Sequence, residues 1–485
     1  GEPRWQKPIL FYWLQAGSFA AFGVSEFAAR LPAWLFATLS GLLLYAFARR
    51  FCGHRAGLFA LVAWFSFPQT HIWAKFGIVD TTLAFLTSAA ALAAFAGAEG
   101  GMRRGLWYIA AGAAMGLAAL TKGPVGLGIP AAVYLCYVAL ERRARRDLLS
   151  PWPYAALATA LAVAAPWFVL QYSDYGAVYL QQFFGQENIE RFGGGARGPG
   201  IPGIIWWLFV FLVCAFPCSA LLPWAASSTV GGSAADDGRP RRLGKFLALW
   251  VALVLIVWSL SAARLPQYIM AIYPPVALLC GRFLSDRWYA RPRGGLAPGI
   301  AAAVCGSLVA AGLAYGSLRF LGQVREFTPA QQHFFTGMGL LLAAAYLVGG
   351  LSSAVCWRAR AGRGGVVAIL LAGLAVSLLS ADVILPSVVA AKDAPLWRVA
   401  VTCRGLLGPE DELIDCDVDS SLLVYYAEHV SVNIDPDRLK GYLEATPRRG
   451  TAYVVVKRES EEHVRRAGLS RIAQSGRYSV WRPPP

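Results

Sequence analysis

FGIVDTTLAFLTSAAALAAFAG, residues 76–97, is an apolar stretch with one charge in it, Asp80, near its first end. A helix of about 20 apolar residues crosses the ~30 Å hydrocarbon core of a bilayer. Glu99, Arg103 and Arg104 follow, and then a second apolar stretch covers 105–121. After a tight Lys122-Gly123-Pro124 turn a third covers 123–140, ending at Arg142, Arg143, Arg145 and Arg146. Apolar runs separated alternately by arginine-rich loops and arginine-poor turns describe a chain threading a membrane.

The same alternation extends both ways. Candidate spans are 32–48, 56–73, 76–97, 105–121, 123–140, 152–170, 204–226, 246–262, 266–284, 296–318, 333–355 and 364–385, which predicts twelve transmembrane helices. Composition agrees: 57% of the 485 residues are hydrophobic and 15% are charged, against roughly 25% charged in soluble domains. A disordered chain, a collagen, a coiled coil and a small disulfide scaffold are excluded.

The net charge of +16 suggests a nucleic-acid binder until it is located. Residues 386–485 hold 14 basic and 14 acidic side chains, so the whole excess lies in residues 1–385. Six clusters there carry 20 of the 30 basic residues, around Arg49, Arg103, Arg142, Arg239, Arg282 and Arg358. The positive-inside rule places those loops in the cytoplasm. This basic excess reports insertion and argues for no nucleic-acid partner.

The opposite side keeps Arg4, Lys7, Arg30, Lys75, Lys122, Arg191, Arg197, Arg264, Arg319 and Arg325 against that bias. Any one of them could pair with a lipid head or a carboxylate. Several at the outer ends of different helices suggest a phosphate site. Residues 1–385 thus read as the membrane domain. Within it, 1–31 reads as two short interfacial helices rich in Phe, Tyr and Trp, and 171–203 as an outer loop. Residues 386–485 have ordinary soluble composition. They read as a small α/β domain on the outer side, with strands at 412–416, 430–434, 451–457 and 477–482.

Ionisable groups at membrane depth are functional candidates. Asp80, about one turn inside its helix, is the sharpest; local pairing with Lys75 is the bland alternative. Lys7 stands before Pro8 and an aromatic interfacial segment, where its ammonium would face a lipid phosphate, although spacing alone fits a snorkelling lysine equally. Lys122 opens a tight turn, Arg264 precedes Leu265-Pro266-Gln267-Tyr268, and Tyr268 sets a hydroxyl near the interface. Glu187, Asn188 and Arg191 fall within one or two turns of each other. The Gly-rich run from Gly193 to Gly200 follows, as a loop moving over a site would be built.

Other patterns carry less. Gly198-Pro199-Gly200-Ile201-Pro202-Gly203 matches a dinucleotide fingerprint only in letters, with no strand before it. Asp415-Cys416-Asp417 has the spacing of a metal-binding D-x-D, in a domain too small for the usual nucleotide-sugar fold. The five His form no metal cluster. Cys403 and Cys416, both outside the membrane domain, are candidates to pair.

Gly1-Glu2-Pro3-Arg4, Lys7-Pro8, Tyr12-Trp13 and Phe22-Gly23-Val24-x-Glu26-Phe27-Ala28-Ala29-Arg30-Leu31-Pro32 together resemble the polyprenyl-phosphate-dependent membrane glycosyltransferases. These are the GT-C fold relatives of the aminoarabinose (lipid A) transferases and of the protein O-mannosyltransferases. Asp80-Thr81, Thr121-Lys122-Gly123-Pro124, Glu187-Asn188-x-x-Arg191-Phe192 and Leu265-Pro266-x-Tyr268-Ile269 follow in the family's order. The resemblance covers essentially the whole chain.

It implies an all-α polytopic membrane protein of GT-C fold with a small C-terminal α/β domain, in a bacterial inner membrane with its site on the periplasmic side. It implies an enzyme moving a sugar from a polyprenyl-phosphate carrier to a lipid, glycan or protein acceptor. Lys7 and Arg191 would engage the carrier phosphate. Lys122, Arg264, Tyr268 and Glu187 would line the same pocket, and Asp80 would be a secondary acidic residue of the site. No redox cofactor is required; the resemblance leaves room for a divalent cation. The family carries a further span and an acidic outer loop upstream of Gly1, so a general-base Asp is expected there and not in this chain. The expected chemistry is direct displacement with inversion. A transporter or flippase of a lipid-linked sugar is the competing expectation, since it would use the same cations and spans.

Overall fold

The computed structural model describes residues 5–194, 202–230, 238–289, 296–319, 328–358, 362–418, 420–445 and 449–484. Arg4, Arg197, Arg325 and the Gly-rich run from Gly195 to Gly200 lie outside the described residues. The chain divides into two compact units, Gly1–Tyr315 with Gly339–Ala381, and Gly316–Met338 with Asp382–Pro485.

The first unit is helical. Helix α1 (Leu10–Phe22) is short and aromatic, as the sequence predicts for an interfacial segment. The expected second interfacial helix is instead the first turn of a 27-residue span, α2 (Glu26–Cys52). Ser25 caps it, its side chain accepting the N–H of Ala28. Pro32 lies inside α2 without breaking it. A proline removes the helical bond to the carbonyl four residues earlier, here Ala28, and that carbonyl accepts the Ser18 hydroxyl of α1 at 2.6 Å. Gln15 donates to the neighbouring Ala29 carbonyl at 3.0 Å. The polar residues that made this region look interfacial thus join α1 to α2.

The predicted span 56–73 is two helices, α3 (His54–Ser66) and α4 (Pro68–Ala74), parted at Phe67, whose extended backbone precedes Pro68. A residue before proline is pushed out of the helical region. Helices α5 (Val79–Ala98), α6 (Arg104–Lys122) and α7 (Pro124–Leu140) follow close to expectation. The expected outer loop 171–203 is helical through much of its length. Trp152–Leu180, broken at Gly176, runs into π-helical turns over Gln181–Glu190. The predicted span 204–226 is a pair, Gly203–Cys214 and Cys218–Ser228, bent by 100° around Ala215-Phe216-Pro217. Among the described residues eight helices are long and apolar enough to cross a membrane, nine if that bent pair counts as one. Their outward faces carry exposed Trp34, Leu42, Leu157, Leu161, Leu308 and Leu341, a surface that hydrocarbon solvates and water does not.

Small residues let these helices approach closely. Gly112 of α6 lies against the backbone of Ala156, so that an added Cβ would press on the Ala156 carbonyl oxygen. Backbone cannot yield as a side chain tip does, and overpacking typically costs about 1–3 kcal/mol. Gly112→Val is therefore expected to lower the melting temperature in detergent by several degrees, whereas a substitution at Gly128, where nothing lies within 4 Å, leaves it nearly unchanged.

Helices α5 and α6 have oppositely charged ends. Past the C-terminus of α5, Glu99 receives a two-pronged bond from Arg242, at 2.7 and 2.6 Å. Glu141 takes Lys245 at 2.9 Å. Asp147 pairs with Arg104 at the start of α6 and accepts the Tyr134 hydroxyl at 2.7 Å. Arg104, Arg242 and Lys245, from the basic clusters, are thus paired with the few acids beside them. At 1.5 Å rise per residue, α6 separates this end from Lys122 by roughly 28 Å.

The second unit contains a five-stranded sheet of β1 (Glu412–Cys416), β2 (Ser431–Asn433), β3 (Ala452–Lys457), β4 (Ser470–Ser475) and β5 (Tyr478–Arg482), in the order β2-β1-β3-β5-β4. β1 pairs parallel with β2 and β3; β5 runs antiparallel to β3 and β4. Alternation sends Leu413, Val455 and Val480 to a core with Leu396 and Val399. It sends Ile414, Val454 and Val456 to another with Leu439 and Val464. Cys403 belongs to the first core and Cys416 to the second, so the two thiols lie on opposite faces and both are free. The suggested disulfide is not formed, and burial pushes the Cys416 thiol up to about 12. The D-x-D pattern is structural. Asp415 is buried and accepts from Ser431 at 2.5 Å and from Asn433, pinning β1 to β2, while Asp417 pairs with Lys457 at 3.1 Å.

Candidate functional site

A cavity of about 60 Å³ opens at the end of the helical unit remote from the Glu99–Arg242 pair, and most of the sequence candidates line it. Lys7 and Pro8 enter from the segment before α1, Lys122 from the last residue of α6, and Val125 from the first turn of α7. The π-helical turns and the short helix after them present Phe183, Glu187, Asn188, Arg191 and Phe192. Trp258 comes from the end of Arg239–Leu260, and Tyr268 from the 3-10 turn Pro266–Ile272.

Local chemistry fixes each of these. Gly123, at φ +65, turns the chain between α6 and α7 where a side chain would be strained, and Phe183 packs into the space a Cβ would fill. Asn188 donates to the Phe183 carbonyl at 2.6 Å, bracing the π-helical turns. The Phe192 carbonyl accepts the Ala262 N–H at 2.8 Å, tying that segment to the loop that leads to Tyr268.

Lys122 is the best-placed cation. Its Nζ lies 2.5 Å from Asp80 Oδ1 and 4.4 Å from the Tyr268 ring centroid. The partner of Asp80 is therefore Lys122; Lys75, its suggested local partner, donates to the Ala381 carbonyl at 3.0 Å. Tyr268 in turn packs on Trp258, ring centroids 4.9 Å apart. Asp80 is not itself among the lining residues: it stands behind Lys122, buried to 7% exposure. Arg264 is not among them either, although its neighbour Ala263 is.

On the facing wall Glu187 Oε2 accepts from Arg191 at 2.5 Å and from Lys7 at 3.4 Å. The Lys7 ammonium lies below its ordinary pKa, chiefly because burial strips its water and then because Lys122 is near; Glu187 opposes the shift. Three cations against two carboxylates leave one positive charge in excess, in a place partly removed from water. Such a site suits an anion with several acceptor oxygens.

Two features escaped the sequence reading. Trp258 reads as an ordinary apolar residue of its span, yet it lines the cavity and its buried indole N–H meets no acceptor. Phe183 carries no signal beyond its aromaticity. Among the described residues no three His, Cys, Asp or Glu side chains gather to hold a metal ion.

Comparison with known proteins bears on the fold. Residues 6–170 match the family model for dolichyl-phosphate-mannose-protein mannosyltransferase. The solved structure of ArnT from Cupriavidus metallidurans bound to undecaprenyl phosphate superposes with a TM-score of 0.77 over 99% of this chain and 89% of that one, at 21% identity. The chain has the GT-C fold. By sequence this GT-C chain is similar to undecaprenyl phosphate-alpha-4-amino-4-deoxy-L-arabinose arabinosyl transferases. One from Pseudomonas aeruginosa (strain UCBPP-PA14) is 32% identical over 74% of this chain, which spans 62% of that relative's length. Another from Pseudomonas fluorescens (strain Pf0-1) is 26% identical over 97% of this chain and 86% of its own. The GT-C fold accounts for the polytopic helical unit together with the small α/β sheet.

Proposed function

We propose that this protein transfers a sugar from a polyprenyl-phosphate carrier to an acceptor on the outer face of a bacterial inner membrane. The observation that carries the reading is the convergence of Lys7, Lys122 and Arg191, from three separate parts of the chain, on one cavity beside lipid-facing helices. The names of the two relatives above, undecaprenyl phosphate-alpha-4-amino-4-deoxy-L-arabinose arabinosyl transferases, support it. They give no support to a flippase.

In this reading the carrier phosphate sits between Lys7 and Arg191, with Lys122 beside it. The acceptor oxygen attacks the anomeric carbon. The C–O bond to the phosphate breaks with its electron pair going to the phosphate oxygen, and the stereochemistry inverts. The cations stabilise the charge growing on that oxygen. Asp80 acts through Lys122, holding its ammonium in place. The acceptor's proton goes to a base; in the empty site Glu187 Oε2 is bonded to Arg191 and Lys7. The described residues thus form the leaving-group half of the reaction.

The test uses the full protein in liposomes with a polyprenyl-phosphate-linked radiolabelled sugar and a cell-envelope extract. Label appearing in a new glycoconjugate supports transfer; label crossing the bilayer unmodified would sink it. Lys7 also sets a pH dependence. Its ammonium is lost at a pH below the usual lysine value, so transfer is expected to fall on the alkaline side as pH rises through that lowered pKa. In Lys7→Arg the alkaline fall moves up or disappears, because guanidinium stays charged. A pH–rate profile checks this.

A further inference from the structure

Glu187 does what a bound phosphate would do. A single oxygen of it, Oε2, bridges Arg191 at 2.5 Å and Lys7 at 3.4 Å. These are the two cations that the proposed function gives to the carrier, and the inference rests on that reading. A carboxylate and a phosphate cannot both occupy the point between them, since like charges at contact distance repel strongly away from bulk water. One must leave.

We propose that Glu187 is a placeholder for the carrier phosphate: it holds Lys7 and Arg191 in the empty site and is displaced when phosphate binds. Glu187 is free to leave. Its side chain is 24% exposed, and among its π-helical turns only Phe183 is buried. Nearby Asn188 is engaged with the Phe183 carbonyl and takes no part in holding it. Arg191, 44% exposed and one turn along, can swing with it or stay with the phosphate.

The placeholder serves two ends. It preorganises two cations that would otherwise repel each other. It also opposes product retention. The substrate is a phosphodiester with one negative charge, whereas the spent carrier is a monoester with up to two near neutral pH. Cations alone would hold the product more tightly than the substrate. A carboxylate competing for the same cations weakens both, and returns to its place as the spent carrier departs.

The test is a titration of the full chain in nanodiscs with polyprenyl monophosphate, comparing wild type with Glu187→Gln, Glu187→Ala and Arg191→Ala. The placeholder predicts about tenfold tighter binding in Glu187→Gln and Glu187→Ala, accompanied by a turnover number that falls as release becomes limiting. Binding that is unchanged or weaker in both variants overturns it, because a carboxylate that merely positions the cations would lower affinity when removed. Arg191→Ala is expected to bind at least tenfold more weakly. No binding by the wild type overturns the transferase reading, and the placeholder with it. Should the amide and alanine variants fail to fold, Glu187→Asp, too short to bridge both cations, takes their place: tighter binding supports the placeholder, and unchanged or weaker binding overturns it.

Discussion

Arg191→Ala is expected to reduce sugar transfer by about 100-fold, in kcat/KM more than in protein yield. Removing one donor that stabilises developing charge costs about 10²–10³ in rate in well-studied enzymes. Arg191 faces the cavity and is 44% exposed, bonded to Glu187 one turn away and burying little. Its loss leaves the fold nearly untouched, so the melting temperature in detergent should stay within a few degrees. Lys7→Ala is expected to behave alike. Arg191→Lys should recover part of the activity at most, because an ammonium lacks the planar fork that grips two phosphate oxygens. A kinetic series on the three variants, with melting curves beside it, checks the result. Full activity in Arg191→Ala would remove this residue from the reaction.

The second large effect falls on stability. Asp80 and Lys122 form a pair 2.5 Å apart, with side chains 8% and 12% exposed. Breaking a buried pair by removing one partner costs about 3–5 kcal/mol, because the other charge is left without compensation. Asp80→Ala is therefore expected to lower both the melting temperature and the transfer rate. Replacing both members, Asp80→Leu with Lys122→Met, should restore much of the stability, since apolar replacements of similar volume are often neutral or better. It should not restore transfer, because the cation beside Tyr268 is gone. Recovery of stability without activity separates the structural part of the pair from its chemical part. Recovery of both would make the pair purely structural.

The membrane architecture was legible because hydropathy and arginine placement act over whole helices. The stretch 76–97 and its neighbours 105–121 and 123–140 match α5, α6 and α7 within a few residues. Breaks inside apolar runs were not legible from hydropathy, which is blind to backbone geometry. The splits at Phe67-Pro68 and around Phe216-Pro217 were signalled only by the prolines. The start of α2 was misplaced for another reason. Glu26 and Arg30 looked too polar for a span, but they pair across one turn at 2.7 Å at the end of the helix. In the sheet, β4 was missed because Ser470-Arg471-Ile472-Ala473-Gln474-Ser475 is an edge strand with one large apolar residue.

Charge out of place was the signal for the site. Lys7, Lys122 and Arg191 stood against the positive-inside bias, and the fold brings them to one cavity. Arg264 carried the same signal and is not among the lining residues, since a residue's side of the membrane does not fix the direction of its side chain. Trp258 carried none, because an aromatic residue in an apolar span looks the same whether it faces lipid or ligand.

The central claim is that Lys7, Lys122 and Arg191 hold the phosphate of a lipid carrier. Its most direct test is a cryo-EM map of the protein in nanodiscs with polyprenyl phosphate at a resolution that shows side chains. Phosphate density is expected between Lys7 Nζ and the Arg191 guanidinium, within hydrogen-bond reach of both, with the isoprenoid chain leaving along the lipid-facing helices. Phosphate density at any other site, with this cavity still spanned by Glu187, would contradict it.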